Sequence, residues 1–256
     1  MEKCFLEGFG ECAGKISREH YISATVLRAI TPQGNVSIGG LAWQPEQDTV
    51  KSYGLASLQS KILCRSHNTL MSDLDDEAGK LTRYLVAVDK DPNSVPHDVQ
   101  FDGEKIQRWM LKTLIATSEA NAFSCSGMQA RHKKILMGKE WPAKWGLYVS
   151  NTPGIQVFTQ DLHIETAVRE DNNDLLAAAF RIAGVQFSLV IGNLLQVKSL
   201  GIYRPRGLVF KIPGRVKRIE LRWRGPTRKK TVEFHRVGKD SGSIPLAHLQ
   251  GWKGLQ

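Results

Sequence analysis

The sequence predicts an α+β protein built from more than one module, and three features carry that prediction. A loop-rich N-terminal stretch holds three of the four cysteines and ends in a helical pattern; a second helical pattern follows a polar linker; and short β-prone runs bounded by glycine, proline and asparagine fill the C-terminal part. The 256 residues, 41% of them hydrophobic, suffice for one large domain or two small ones. We expect an N-terminal module over residues 1–90, a helical connector over 97–145 and a mostly antiparallel β domain over 146–256.

The first module is predicted to close with a helix that begins near Ser72. Ser72 and Asp75 have the spacing of a capping box, and apolar residues from Leu81 to Val88 follow at helical spacing. The acidic run at 73–77 then falls in the first helical turn, where the positive end of the helix dipole accounts for it. These acids are therefore not assigned to a metal site.

A linker and a second helix are predicted next. Residues 89–96 are polar and contain two prolines, which is typical of a linker. Residues 103–122 have apolar side chains spaced for one helical face. Lys105, Arg108 and Lys112 are expected on the opposite, solvent-facing side.

The C-terminal part is predicted to form an antiparallel sheet. Ala183-Gly184 separates two β-prone runs and is typical of a hairpin turn. Charged and apolar residues alternate over 218–224, as in a strand with one buried face. Strands are expected at 146–149, 155–158, 178–182, 185–191, 207–212 and 218–224.

The positive charge of the chain is concentrated in one segment. The net charge is +10, and residues 201–237 alone hold twelve Lys and Arg against Glu220 and Glu233. Such a concentration favours a polyanionic partner, with nucleic acid first, although a merely solvated basic surface is the alternative. The residues expected to contact phosphates here are Arg215, Lys217, Arg218, Arg222, Arg224, Arg228, Lys229 and Lys230.

The sequence argues against a membrane or secreted protein. No apolar run approaches the roughly 20 residues that span a bilayer. The segment Met1 to Cys4 lacks the apolar stretch of a signal peptide. We expect a cytoplasmic protein without a membrane partner.

Four residues of the first module are expected to bind a structural zinc ion. Cys64 and His67 have two residues between them, a spacing that lets both side chains point at one ion. Cys4 and Cys12 are further apart, but two glycines between them permit a wider turn. The alternative is that these cysteines are unrelated and buried as small hydrophobic residues. Cys125 is expected to be a free thiol.

These ligands bracket a second motif. Glu19-His20 follows Cys12, and Asn68 directly follows the run from Cys64 to His67. Over residues 4–75 this arrangement resembles the zinc-containing members of the HNH (His-Me finger, ββα-metal) nuclease superfamily. The resemblance implies a zinc-stabilised ββα-metal fold for the first module.

The resemblance also implies roles for particular residues. His20 would be the general base that takes a proton from the attacking water, since imidazole titrates near neutral pH. Glu19 and Asn68 would bind a catalytic Mg²⁺ or Mn²⁺, because such hard cations prefer oxygen ligands. Gln59, at the position of the middle motif residue, would orient the base. Arg65 would touch a phosphate through its guanidinium group.

The implied function is a metal-dependent endonuclease that hydrolyses phosphodiester bonds in DNA, with RNA left open. By resemblance, the β domain would supply affinity or target choice in restriction or phage defence, where a partner protein would take part. A double-strand cutter with one site per chain would act as a homodimer. The alternative is a non-catalytic, zinc-stapled module that binds nucleic acid or protein. Replacing His20 with alanine would separate the two.

Overall fold

The computed structural model describes residues 3–31, 34–39, 41–44, 50–122, 128–150, 162–169, 171–225 and 228–235. Over these residues the protein is a mixed α/β structure with four α-helices and four β-sheets. Two short 3-10 helices span Leu55–Leu58 and Val197–Leu200. The main elements are β1 Ile16–His20, α1 Ala24–Ile30, β2 Asn35–Ile38, β3 Lys51–Gly54, β4 Gln59–Cys64, α2 Arg65–Lys90, β5 Asp98–Asp102, α3 Gly103–Glu119, α4 Ala130–Leu136, β6 Gly146–Val149, β7 Leu162–Val168, β8 Leu175–Ile182, β9 Val185–Val190, β10 Ile202–Tyr203, β11 Pro205–Ile212, β12 Arg215–Arg222 and β13 Arg228–His235.

The chain divides into two compact units. Unit 1 comprises Met1–Val86, Lys105–Trp141 and Val168–Leu175, and unit 2 comprises Ala87–Glu104, Pro142–Ala167 and Leu176–Gln256. Most of the segment that the sequence assigned to a connector, from Lys105 to Trp141, is therefore part of unit 1 rather than a separate piece. The predicted strand at 155–158 and Cys125 lie outside the described residues.

An antiparallel hairpin of β1 and β4 leads directly into α2 in unit 1. Ile16 is paired with Cys64 at one end of the hairpin, and His20 is paired with Gln59 at the other. A register irregularity after Ser17 separates the two ends. The pairing of β1 with β4, which continues directly into α2, thus places Cys64 at one end of the strand pair and His20 at the other.

Helix α2 begins at Arg65, seven residues before the predicted start. The backbone amides of Arg65 and Ser66 donate hydrogen bonds to the carbonyls of residues 15 and 13, so a preceding loop satisfies the free donors of this helix end. Ser72 lies inside the helix, where its hydroxyl donates to the Thr69 carbonyl. The prediction of a helix start at Ser72 is wrong, and so is the dipole explanation for the acids at 73–77.

Helix α3 confirms the predicted apolar face, since Trp109, Leu114 and Ile115 are fully buried. Lys112 is buried as well, with 2% of its surface exposed. The expectation that Lys112 faces solvent is therefore wrong, because this side chain has acidic partners inside unit 1. No described helix combines the length and the apolar character that crossing a bilayer requires.

Unit 2 contains a five-stranded sheet in the order β10-β6-β9-β8-β7. Pairs β10–β6, β6–β9 and β8–β9 are antiparallel. The predicted hairpin between β8 and β9 is confirmed, and both Ala183 (φ 47°) and Gly184 (φ 82°) adopt the left-handed conformation that a tight two-residue turn requires.

The four-stranded sheet of unit 2 has the order β13-β11-β12-β5. Strands β11 and β12 are antiparallel, but β13 joins β11 in parallel and β5 joins β12 in parallel. The expectation of a mostly antiparallel domain is wrong for this sheet, because the chain crosses over β11 before forming β13. Gly207 allows close strand contact, since a Cβ there would collide with the Ile219 carbonyl oxygen.

Candidate metal centre and candidate active site

Cys4, Cys12, Cys64 and His67 converge at the start of α2. Their ligand atoms all lie within 4.8 Å of one another. His67 Nδ1 lies 3.3 Å from Cys4 Sγ and 3.2 Å from Cys64 Sγ. Tetrahedral zinc with Zn–S of about 2.3 Å and Zn–N of about 2.0 Å places its ligand atoms about 3.5 to 3.8 Å apart. The predicted proximity is confirmed, and the cluster can bind a metal ion such as zinc.

The thiols of this cluster do not titrate alike. Burial alone would raise the pKa of Cys64, but hydrogen bonds from Ser66, the His67 backbone and the other two thiols lower it to about 6. A hydrogen bond to Cys64 raises the pKa of Cys12 to about 12. Cys64 therefore ionises before Cys12, and thiolates are the form that binds metal.

The loop before β1 is tied to the cluster by Ser66. The Ser66 hydroxyl donates to the Glu11 carbonyl and accepts from the Ala13 amide, both at 3.0 Å, and lies 3.2 Å from Cys64 Sγ. Gly10 passes close to the imidazole, since a Cβ on it would lie 3.4 Å from His67 Nε2. Cys12 is the exposed member of the cluster, whereas Cys4 and Cys64 are buried. Access to the metal position is therefore from the Cys12 side.

His20 ends β1 at the far end of the hairpin from the cluster. Gln59 Nε2 lies 3.2 Å from His20 Nε2 and 3.4 Å from Nδ1, so the two residues that the sequence paired are in contact. The Leu55 backbone accepts a hydrogen bond from the ring. Burial, followed by the nearby positive charge of Arg28, lowers the pKa of His20 below 6.5. At neutral pH the imidazole is uncharged and can accept a proton.

Arg28 is a residue that the sequence interpretation missed. It lies on α1, is exposed, and is near enough to His20 to lower its pKa. An exposed guanidinium beside a neutral imidazole suits binding of a phosphate. The available sequence signal was weak: a single arginine on a short helix that follows Glu19-His20.

Glu19 lies in a buried charge cluster. Lys112 Nζ lies 2.6 Å from Glu19 Oε1 and 2.6 Å from Asp75 Oδ2. Burial alone would lower the pKa of Lys112, but the two carboxylates raise it, so the ammonium stays charged. Burial raises the pKa of Asp75 against the opposing effect of Lys112. The residue next to His20 is thereby fixed to both α2 and α3.

Asn68 and Arg65 lie on the first turns of α2. The Asn68 side-chain amide donates to the Ser17 hydroxyl at 3.2 Å, and that hydroxyl donates to the Leu63 carbonyl. The Asn68 side chain is therefore held against β1. Arg65 is exposed, as a phosphate contact requires.

Glu19 does not fit a Mg²⁺ site in this arrangement, and a metal role for Asn68 stays a prediction. The Glu19 carboxylate already pairs with the Lys112 ammonium, whose positive charge repels a metal cation. Within the described part of the chain, the cysteine–histidine cluster is the one group of three or more His, Cys, Asp or Glu side chains that could hold a metal.

No family model, curated protein or solved structure matches the chain.

The basic residues predicted to contact phosphates divide into distinct groups in unit 2. Lys217 is 1% exposed and donates to the Val95 carbonyl at 2.6 Å, so its predicted phosphate contact is wrong: the alternating pattern of β12 turns it inward. The side chains of Arg228 and Lys229 lie outside the described residues. The exposed members are Arg215, Arg218, Arg222, Arg224 and Lys230.

Acidic residues offset part of this exposed charge. Basic side chains on the outer face of the four-stranded sheet have acidic neighbours on the adjoining strands. Each such pair reduces the attraction for a polyanion, since the opposing charge lies within a Debye length. The pairs are Arg218 with Asp98, Arg222 with Asp102 and Lys211 with Glu233.

Proposed function

We propose that unit 1 is a nuclease module that hydrolyses phosphodiester bonds in DNA with His20 as the general base. The contact between His20 and Gln59, at the end of a hairpin that leads into the cysteine–histidine cluster, carries this proposal. It agrees with the resemblance of residues 4–75 to zinc-containing HNH nucleases. A lowered His20 pKa supports the role, because the base must be unprotonated at neutral pH.

In the proposed reaction, water attacks the scissile phosphorus and gives its proton to the uncharged His20 imidazole. The Leu55 carbonyl accepts the ring N–H, and the Gln59 amide occupies the other ring nitrogen until the attacking water takes its place there. Arg28 binds a non-bridging phosphate oxygen and offsets the negative charge that grows as the phosphorus–oxygen bond forms. The bond to the leaving oxygen then breaks, this oxygen takes a proton from solvent water, and His20 returns its proton to solvent.

Zinc in this proposal is structural. Cys4 and Cys12 from the N-terminal loop and Cys64 and His67 from the β4–α2 junction would hold it, so the ion would join the loop to the helix. All four positions would be taken by protein ligands, which leaves none for water or substrate. The ion would therefore stabilise the fold of unit 1 and take no part in bond cleavage.

Dependence on a second, catalytic cation stays a prediction of the resemblance. Glu19 does not fit as its ligand while Lys112 holds the carboxylate, so no step above uses such an ion. The assay below includes Mg²⁺, Mn²⁺ and chelator arms for this reason. A cytoplasmic location and a role in restriction or phage defence likewise stay predictions.

The test is cleavage of supercoiled plasmid by the parent protein, His20→Ala and the control His163→Ala. His163 is exposed and pairs with Glu165 in unit 2, so its loss should leave cleavage unchanged. We expect nicking that is lost with His20→Ala, while circular dichroism and zinc content match the parent. Equal cleavage by parent and His20→Ala would refute His20 as the base.

The second candidate is a zinc-stapled module that binds nucleic acid without cutting it. One observation favours it: the carboxylate expected at the catalytic cation is engaged by Lys112. This candidate predicts no cleavage with any cation, together with DNA binding that His20→Ala leaves unchanged. The plasmid assay and a binding assay on the same proteins therefore separate the two functions.

A further inference from the structure

A cavity of about 370 Å³ lies in unit 1 at the Gln59 end of the β1–β4 strand pair. Gln59 lines it, and the same side-chain amide contacts His20. The Gln59 side chain therefore contacts the proposed general base, His20, and also lines the cavity. Its lining residues are Tyr21, Trp43, Tyr53, Ser57, Gln59, Ser60 and Ala120.

Aromatic rings form part of the cavity lining. Trp43 is 41% exposed and packs edge to face on Tyr53, with ring centroids 5.1 Å apart at 78°. Buried Gln44 fixes this pair, since its amide donates to the Tyr53 hydroxyl at 3.1 Å and accepts from the Leu41 amide at 2.8 Å. An exposed indole on a rigid support is a surface on which a planar ring can stack.

The lining also contains polar groups that can bind the edges of a planar ligand. Ser57, Gln59 and Ser60 add hydroxyl and amide groups. The Tyr21 hydroxyl is buried beside the Trp43 side chain. A ligand that reached this hydroxyl would find a polar group next to the exposed indole.

We propose that this cavity binds one unstacked base of the substrate strand, next to the phosphate on which His20 acts. The choice of nucleic acid as ligand rests on the proposed function. The volume is in the range of small-molecule sites, about 300 to 1,000 Å³. An aromatic wall with polar groups beside it suits the face and the edge of a nucleobase. The substrate class is therefore DNA with an unpaired base: single-stranded DNA, or duplex with a base turned out.

A base inside a duplex cannot stack on Trp43, because its neighbours occupy both of its faces. Extruding it costs unstacking and unpairing energy, which is smallest for a mismatched or already unpaired base. The proposal therefore predicts tighter binding to single strands than to perfect duplex of the same length.

The experiment measures binding of fluorescein-labelled single-stranded and duplex DNA by full-length protein carrying His20→Ala, which prevents cleavage. Trp43→Ala is added to this background, with Trp141→Ala as the matched control in the same unit and outside the cavity. Loss of a base–aromatic stack weakens binding about tenfold. We expect Trp43→Ala to weaken binding of single-stranded DNA by this factor, and Trp141→Ala to leave it unchanged. Tyr21→Phe, which removes one oxygen, serves as a second variant if Trp43→Ala does not fold.

A second readout uses 2-aminopurine placed at successive positions of the oligonucleotide. We expect its fluorescence to be quenched at one position, in a manner lost with Trp43→Ala. Equal binding by Trp43→Ala and Trp141→Ala, or loss of single-strand and duplex binding to the same extent, would overturn the proposal. If the parent does not cleave DNA but the Trp43-dependent binding is present, the nuclease fails and the base site stands. If cleavage requires His20 and neither cleavage nor binding changes with Trp43→Ala, the base site fails and the nuclease proposal stands.

Discussion

Lys112 Nζ lies 2.6 Å from Glu19 Oε1 in the interior of unit 1, and the same ammonium reaches Asp75. Glu19 immediately precedes His20, so the end of β1 is fixed by a charge on α3. The alternation of side chains along a strand turns Glu19 inward and His20 toward the Gln59 side. The buried pair thus positions the proposed base without touching it.

Replacing Lys112 with methionine should destabilise the protein by about 3 to 5 kcal/mol, because two carboxylates lose their buried partner. Lys105→Met is the matched control on the same helix: Lys105 pairs with the exposed Asp73, and such pairs contribute at most about 1 kcal/mol. Urea unfolding measures both. Similar midpoints for the two variants would show that the Lys112 cluster does not stabilise unit 1.

Cys64→Ser should remove bound zinc, since it deletes a buried ligand whose pKa is lowered to about 6. The parent is expected to contain about one zinc ion per chain, and Cys125→Ser, which leaves the four-ligand cluster intact, should keep it. Metal analysis after dialysis and the thermal midpoint provide the readouts. Zinc retained by Cys64→Ser at the parent level would contradict the ligand assignment.

Cleavage should decline on the acid side at a pH below 6.5, the ordinary His value, because the His20 pKa is lowered. As pH falls through that pKa, the imidazole gains a proton and can no longer act as a base. Arg28→Gln removes a positive charge, so the His20 pKa rises and the acid limb moves to higher pH. Arg169→Gln, an exposed change elsewhere in unit 1, should leave the limb in place. Coincident pH profiles for parent and Arg28→Gln would argue against His20 as the titrating base.

Lys217→Met should leave the salt dependence of DNA binding unchanged, since its ammonium is buried against the Val95 carbonyl. Arg215→Gln removes an exposed charge and should make the log–log slope on duplex DNA shallower by about 0.9 for one lost phosphate contact. Anisotropy titrations across a range of KCl concentrations measure both slopes. A shallower slope for Lys217→Met would mean that this lysine reaches phosphate.

Local patterns predicted much of the hairpin geometry and the ligand cluster. Ala183-Gly184 indicated a tight turn because this glycine-containing pair separates two β-prone runs. The structure confirms the turn. The spacing of Cys64 and His67 indicated a shared ligand site, since two intervening residues place both side chains on one side of a turn.

The errors arose where distant residues decide the outcome. A lysine on α3 is expected in solvent by helical periodicity, and only its partners, 93 and 37 residues away, explain why Lys112 is buried. The start of α2 was misplaced because its free amides are satisfied by a loop fifty residues earlier rather than by a local cap. The parallel position of β13 likewise follows from sheet assembly and has no signal in the strand itself.

Helix α2 carries a member of each buried cluster: His67 in its first turn and Asp75 eight residues, or about 12 Å, further on. The two clusters are therefore joined by one helix, along which a free-energy coupling between them would pass. Such coupling is reciprocal: if zinc strengthens the Lys112 ion pairs, those pairs strengthen zinc binding by the same factor. The availability of zinc would then set how firmly the strand bearing His20 is held.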